Sequence, residues 1–119
     1  MVAAREHTFT LQPADLRRDL NLSRERMARL VDVSAKTIER WEEQNAIPTN
    51  ANARTRGYLA RIQDVRDLGL AVYTPEGFQE FLKTPFPAFG GRTALQMIEQ
   101  GSVDTVISAL ASDYEGLGF

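Results

Sequence analysis

The chain of 119 residues has no cysteine and one histidine, His7. Without thiols there is no disulfide or thiolate chemistry, and nothing points to an oxidising compartment. A lone imidazole near the N-terminus leaves histidine-based triads and the usual zinc sites without their parts. No apolar run approaches the roughly 20 residues that a membrane-spanning helix needs, and Glu6 and His7 stand where a signal peptide would be apolar. Strand signals are sparse, and no internal repeat or low-complexity segment occurs. These absences predict a cytoplasmic protein that works without a membrane, and the residues present suggest neither a cofactor nor an enzyme's nucleophile–base pair.

What is present is 43% hydrophobic residues, enough for one ordinary domain or two small ones. The net charge of −2 hides an asymmetry. Residues 1–66 hold 12 Lys+Arg against 9 Asp+Glu, a net of +3, whereas residues 67–119 hold 2 against 7, a net of −5. A basic module, 1–66, followed by an acidic module, 67–119, is the organisation this predicts.

Helical periodicity dominates, and the expected fold class is all-α. Pro13 opens a first helix carrying Leu16 and Leu20. Ser23 caps RERMARLV, whose Met27, Leu30 and Val31 form a buried stripe, and after Asp32 and Val33 a second cap, Ser34, opens AKTIERWEEQ with Ile38 and Trp41 inward. Asn45 suits a left-handed helix end and Pro48 prevents continuation. After the polar connector IPTNANA, a longer helix is expected from Arg54 through Leu59, Ile62, Val65 and Leu68, ending near Gly69, with the very short LAVY as the best strand candidate. Thr74, Pro75 and Glu76 open a helix with Phe78, Phe81 and Leu82. PFPAFGG is irregular, Thr93 caps a helix with Leu95 and Ile98 closed by Gly101, and Ser102 opens the last, with Val103, Val106, Ile107 and Leu110 on one face. YEGLGF is expected as a leftover tail.

The stretch from Leu22 to Glu43 carries the chemistry. Its spacing suits a second helix inserted into the major groove, anchored behind by Ile38 and Trp41, with Ala35, Lys36, Glu39 and Arg40 on the outer face. Lys36 and Arg40, four apart, share one side and suit guanine edges or phosphates. Ser34 and Thr37 place hydroxyls and backbone N–H groups at the helix start, where phosphate binds. Taken singly, Arg24, Arg26 and Arg29 read as a solvated face and Trp41 as core; the joint pattern of two caps, a fixed turn and the Ile-Trp pair is more specific.

SRERMARLVDVSAKTIERWEEQNAIP resembles the helix-turn-helix of the Xre and phage-repressor superfamily, with Asn45 in place of the usual glycine after the helix. The resemblance implies base contacts from Ala35, Lys36, Arg40 and Glu39, phosphate contacts from Ser23, Arg24 and Thr37, and backbone contacts from Asn45, Thr49 and Arg54.

FGGRTALQMIEQG followed by VDTVISALASDYEGLGF resembles the C-terminal domain of the MbcA/ParS/Xre antitoxins, with Phe81 at that family's tryptophan, Phe89 at its leucine and Ala94 at its proline. That resemblance implies a type II antitoxin: an Xre-like helix-turn-helix bundle followed by a small helical toxin-binding and dimerisation domain. It implies binding to a RES-domain toxin that degrades NAD, and repression of the chain's own promoter through operator DNA. In relatives the tail enters the toxin's cleft, which implies toxin contacts from Tyr114, Glu115, Gly116, Leu117 and Phe119. Arg92 is open between that role and pairing with Glu99 or a helix carbonyl. A phosphate loop at GGR lacks the preceding strand and the Gly-Lys-Ser/Thr it would need. The acidic module also suits self-association, so a homodimer or a toxin–antitoxin hetero-oligomer is expected, with a stand-alone dimeric regulator as the alternative.

Overall fold

The computed structural model describes residues 12–118, which are all-α. His7 lies outside them. The helices are α1 (Pro13–Asp19), α2 (Arg24–Val31), α3 (Ala35–Gln44), α4 (Ala53–Val72), α5 (Pro75–Lys83), α6 (Ala94–Glu99) and α7 (Val103–Gly118), with a 3-10 turn at Pro87–Phe89. The chain divides into two compact units between Gln63 and Asp64, a point inside α4.

In the first unit, short helices are started and stopped by side chains. Pro13 occupies the first turn of α1, where its missing N–H goes unmissed. The Ser23 hydroxyl accepts from the Arg26 N–H at 3.0 Å and the Ser34 hydroxyl from the Thr37 N–H at 3.1 Å, so each cap satisfies an orphan donor. Asp32 and Asn45 end α2 and α3 in the left-handed conformation, at φ 62° and 59°. Short polar side chains tolerate that conformation better than most residues other than glycine. The core holds Leu16, Leu20, Leu22, Met27, Ala28, Val31, Ile38, Trp41, Leu59 and Ile62. Leu30, expected in the buried stripe, is only half-buried; Ala28 is enclosed instead, next to Met27 in the sequence.

α4 begins at an Asn52 cap, whose side-chain carbonyl accepts from the Thr55 N–H at 2.9 Å. It does not end at Gly69, and Leu70–Val72 is helix rather than the expected strand. Gly69 is a packing glycine: a Cβ there would collide with the ring of Phe78 in α5. The short apolar run therefore continues a helical face, and the terminator is the Thr74-Pro75 pair that opens α5.

In the second unit, Thr74 caps α5 by accepting from the Gly77 N–H, and Phe78, Phe81 and Leu82 face inward. PFPAFGG folds into a closed loop. The Phe86 N–H donates to the Arg92 carbonyl at 3.2 Å, and the Gly91 N–H returns to the Phe86 carbonyl at 2.9 Å. Gly90 and Gly91 both take positive φ, 66° and 84°, a pair of conformations that glycine supplies at little cost. Phe81 lies within 5.4 to 6.4 Å, centroid to centroid, of Tyr73, Phe86 and Phe89, so aromatic faces and edges fill the space above the loop. Thr93 and Gln96 form a reciprocal capping box at the start of α6. Val106 and Leu110 are fully buried on α7, with Val103 and Ile107 half-buried beside them. The expected loose tail is instead the last turns of α7, which runs through Gly118. Asp113, beyond Leu110, is tied to Tyr73 by a 3.2 Å hydrogen bond from the phenol.

Candidate functional site

The face nominated for nucleic acid is built by α2, α3 and the connector to α4. Trp41 and Ile38 are 4% and 2% exposed and fix the back of α3. On the outward side Lys36 and Arg40 are exposed, while Ala35, Thr37 and Glu39 are half-buried. Ser34, Thr37 and Arg40 form a chain: the two hydroxyls lie 2.9 Å apart, and an Arg40 amino group reaches the Thr37 hydroxyl at 3.5 Å. Lys36 stands 3.5 Å from the Glu39 carboxylate. At that exposure the ion pair is weak, and Lys36 can exchange it for another anion.

Ser23, Asn45 and Thr49 are exposed. The Thr49 carbonyl accepts from Arg56 at 3.5 Å. Arg54, exposed at the start of α4, donates from Nε to the Tyr58 hydroxyl at 3.0 Å and lies 3.5 Å from Asp32. The hydrogen bond to the Tyr58 hydroxyl first, then the charges of Tyr58 and Asp32, hold the Arg54 guanidinium more firmly protonated than usual. A pocket of about 220 Å³ between α3 and the connector is lined by Thr37, Arg40, Trp41, Asn50, Asn52 and Thr55, among others.

Sequence reasoning missed the residue that ties this face together. Glu42 of α3 accepts from Arg17 of α1 through both carboxylate oxygens and from Arg24 of α2 at 2.9 Å. Its side chain is only 6% exposed. Arg17 also donates to the Leu22 carbonyl at 3.0 Å, one residue before the α2 cap. Burial works to raise the Glu42 pKa, but the hydrogen bonds and charges of Arg17 and Arg24 outweigh it and hold the carboxyl below the ordinary range. Reciprocally, the hydrogen bond and charge of Glu42 raise the Arg24 pKa against a small desolvation, with Glu39 and Glu43 adding to the effect. No helix-periodicity signal joins positions 25 apart.

The residues nominated for protein contact fall on two parts of the second unit. Arg92 is exposed beside the glycine pair and bonds through its backbone to Phe86 and Phe89. Tyr114, 47% exposed, shares α7 with Glu115 and Gly116, both exposed. Near them an open depression of about 400 Å³ is lined by Val72, Tyr73, Ser112, Asp113 and Gly116. Phe119 and the Leu117 side chain lie outside the described residues. Burial first, then the charge and hydrogen bond of Asp113, raise the Tyr73 pKa above that of an ordinary phenol. Among the described residues no group of His, Asp and Glu is arranged to hold a metal ion, and no helix is long and apolar enough to cross a membrane.

No family model matches the sequence, and no curated protein matches it. Among solved structures, the chain is similar to a chain of the crystal structure of the M. tuberculosis MbcT-MbcA toxin-antitoxin complex, with a TM-score of 0.62 at 18% identity. The match spans 99% of this chain and 100% of that one. The likeness is one of fold. It includes both helical units, so the order of elements from α1 to α7 is a shared architecture and not a local coincidence of one motif.

Proposed function

We propose that the chain is the antitoxin of a type II toxin–antitoxin pair. In this reading the unit up to Gln63 is a helix-turn-helix that binds operator DNA, and the unit from Asp64 binds the toxin. The observation that carries the reading is the end-to-end fold likeness to a chain of a toxin-antitoxin complex. DNA binding is supported by a firmly anchored α3 that leaves Lys36 and Arg40 exposed. Lys36, Arg40, Ala35 and Glu39 would then meet base edges, while Ser23, Arg24, Ser34, Thr37, Asn45, Thr49 and Arg54 meet the sugar–phosphate backbone.

The toxin is of the RES-domain, NAD-degrading class, and the end of α7 is the segment that blocks it. An acidic, aromatic stretch such as Tyr114-Glu115 has the chemistry to occupy a cationic nucleotide pocket. Leu117, Phe119 and Arg92 extend that contact. The protein is non-catalytic, acts in the cytoplasm, and represses its own promoter as a homodimer or a toxin–antitoxin assembly.

Expression of the neighbouring gene's product, with and without this chain, tests the reading. Growth arrest by that product, relieved by the full chain, is the expected result. A neighbour that is harmless, or whose harm the chain does not relieve, would favour a stand-alone dimeric regulator.

A further inference from the structure

An arginine at the first position of a helix is electrostatically misplaced. The N-terminus of a helix carries partial positive charge, and cations there cost stability while anions gain it. Arg24 is the first residue of α2, directly after the Ser23 cap. Glu42 compensates, but it is shared: one carboxylate serves both Arg17 and Arg24, so the cluster of two arginines and one glutamate keeps a net charge of +1.

The way Glu42 is shared is selective. Arg17 is gripped on two nitrogens and turned inward, and its third donates to the Leu22 carbonyl. Among the described residues, Arg24 is gripped only at Nε. A guanidinium has five N–H donors in a fixed plane, so a hold at Nε sets the direction of the plane while leaving both terminal amino groups unused. Neither amino group of Arg24 bonds to another described residue, and its side chain is 43% exposed. A fixed, half-exposed guanidinium fork beside the N–H groups of a helix start matches a phosphate diester.

We propose that Glu42 is a positioning residue for phosphate recognition: it aims the Arg24 fork at one backbone phosphate of duplex DNA and links that contact, through Arg17, to the seating of α3. The proposal rests on the DNA-binding reading above. It assigns a DNA-related role to an acidic residue that plain charge counting would place against binding. The surrounding carboxylates Glu39 and Glu43 act on Arg24 through charge alone, without a hydrogen bond, and do not share the role.

The test uses the full chain and duplex DNA from upstream of its own gene, with affinity measured across a salt series. Arg24→Lys keeps the charge but has no fork; it should weaken binding about tenfold with the salt slope little changed, whereas Arg24→Ala should lower the slope by about one. Glu42→Gln makes the protein more basic, so simple electrostatics would tighten binding; the positioning role requires about tenfold weaker binding. In an Arg24→Ala background the Glu42→Gln change should no longer weaken binding. Circular dichroism and Trp41 fluorescence report whether Glu42→Gln stays folded; if it does not, Glu42→Asp, which keeps the charge but shortens the reach to Arg24, carries the test and should weaken binding likewise. Wild-type affinity for Arg24→Lys, tighter binding by Glu42→Gln, or an undiminished Glu42→Gln effect without Arg24 would each overturn the proposal. If those variants bind normally while Lys36→Ala/Arg40→Ala does not, this inference alone fails; if the wild type does not bind DNA, the reading beneath it fails as well.

Discussion

Arg17 and Glu42, 25 positions apart, are joined by two hydrogen bonds that tie α1 to α3. The Arg17 side chain is 25% exposed and that of Glu42 6%, so the pair is screened less than a surface ion pair. Removing one partner leaves the other poorly solvated. Arg17→Ala should therefore cost about 2 kcal/mol of stability, below the roughly 3–5 kcal/mol of a fully buried pair because water still reaches the site. Thermal or denaturant unfolding measures it.

The same carboxylate sets an acid limit. The Glu42 pKa is lower in the folded chain than in the unfolded one. Its contribution is therefore fully present above the unfolded value and is lost as pH falls through the folded value. Wild-type stability should decline below about pH 4, and Glu42→Gln should remove part of that decline while being less stable at neutral pH. Unfolding curves at a series of pH values check both.

Two glycines of α4 should respond oppositely to the same change. Gly69→Ala places a methyl group in the Phe78 ring and should destabilise the second unit by about 1–3 kcal/mol. Gly57 has nothing within 4 Å of where a Cβ would stand, so Gly57→Ala should stabilise by about 0.5–1 kcal/mol through helix propensity. Chemical denaturation of the two variants decides it.

Tyr73 provides a signal from the second unit. Its raised pKa means that stability contributed by the neutral phenol is present below the unfolded value and is lost as pH rises through the folded one. In an ultraviolet titration, Asp113→Asn should lower the pH at which Tyr73 ionises, and Tyr73→Phe should remove that component altogether.

Much of the fold was legible because caps and breakers act locally. Ser23, Ser34, Thr74 and Thr93 all cap where their spacing predicts, and Asn45 ends α3 in the expected conformation. Gly69 misled because a glycine that ends a helix and one that admits a neighbour's ring look alike until the neighbour is known. The final turns of α7 were hidden for a related reason: Gly116 and Gly118 suggest a breakdown that the helix absorbs. Of the candidate interface, the exposed pair Lys36 and Arg40 follows from helical period alone. Glu42 does not, since its partners come from two other helices and only the folded chain brings them together.

The proposed function has this chain neutralise an NAD-degrading toxin through the end of α7. NAD consumption by the purified product of the neighbouring gene, followed as the full chain is titrated in, tests it most directly. Stoichiometric suppression that is lost when Tyr114 to Phe119 are removed, with DNA binding retained by the shortened chain, is the expected result. NAD consumption that proceeds unchanged in the presence of excess full-length chain would contradict it.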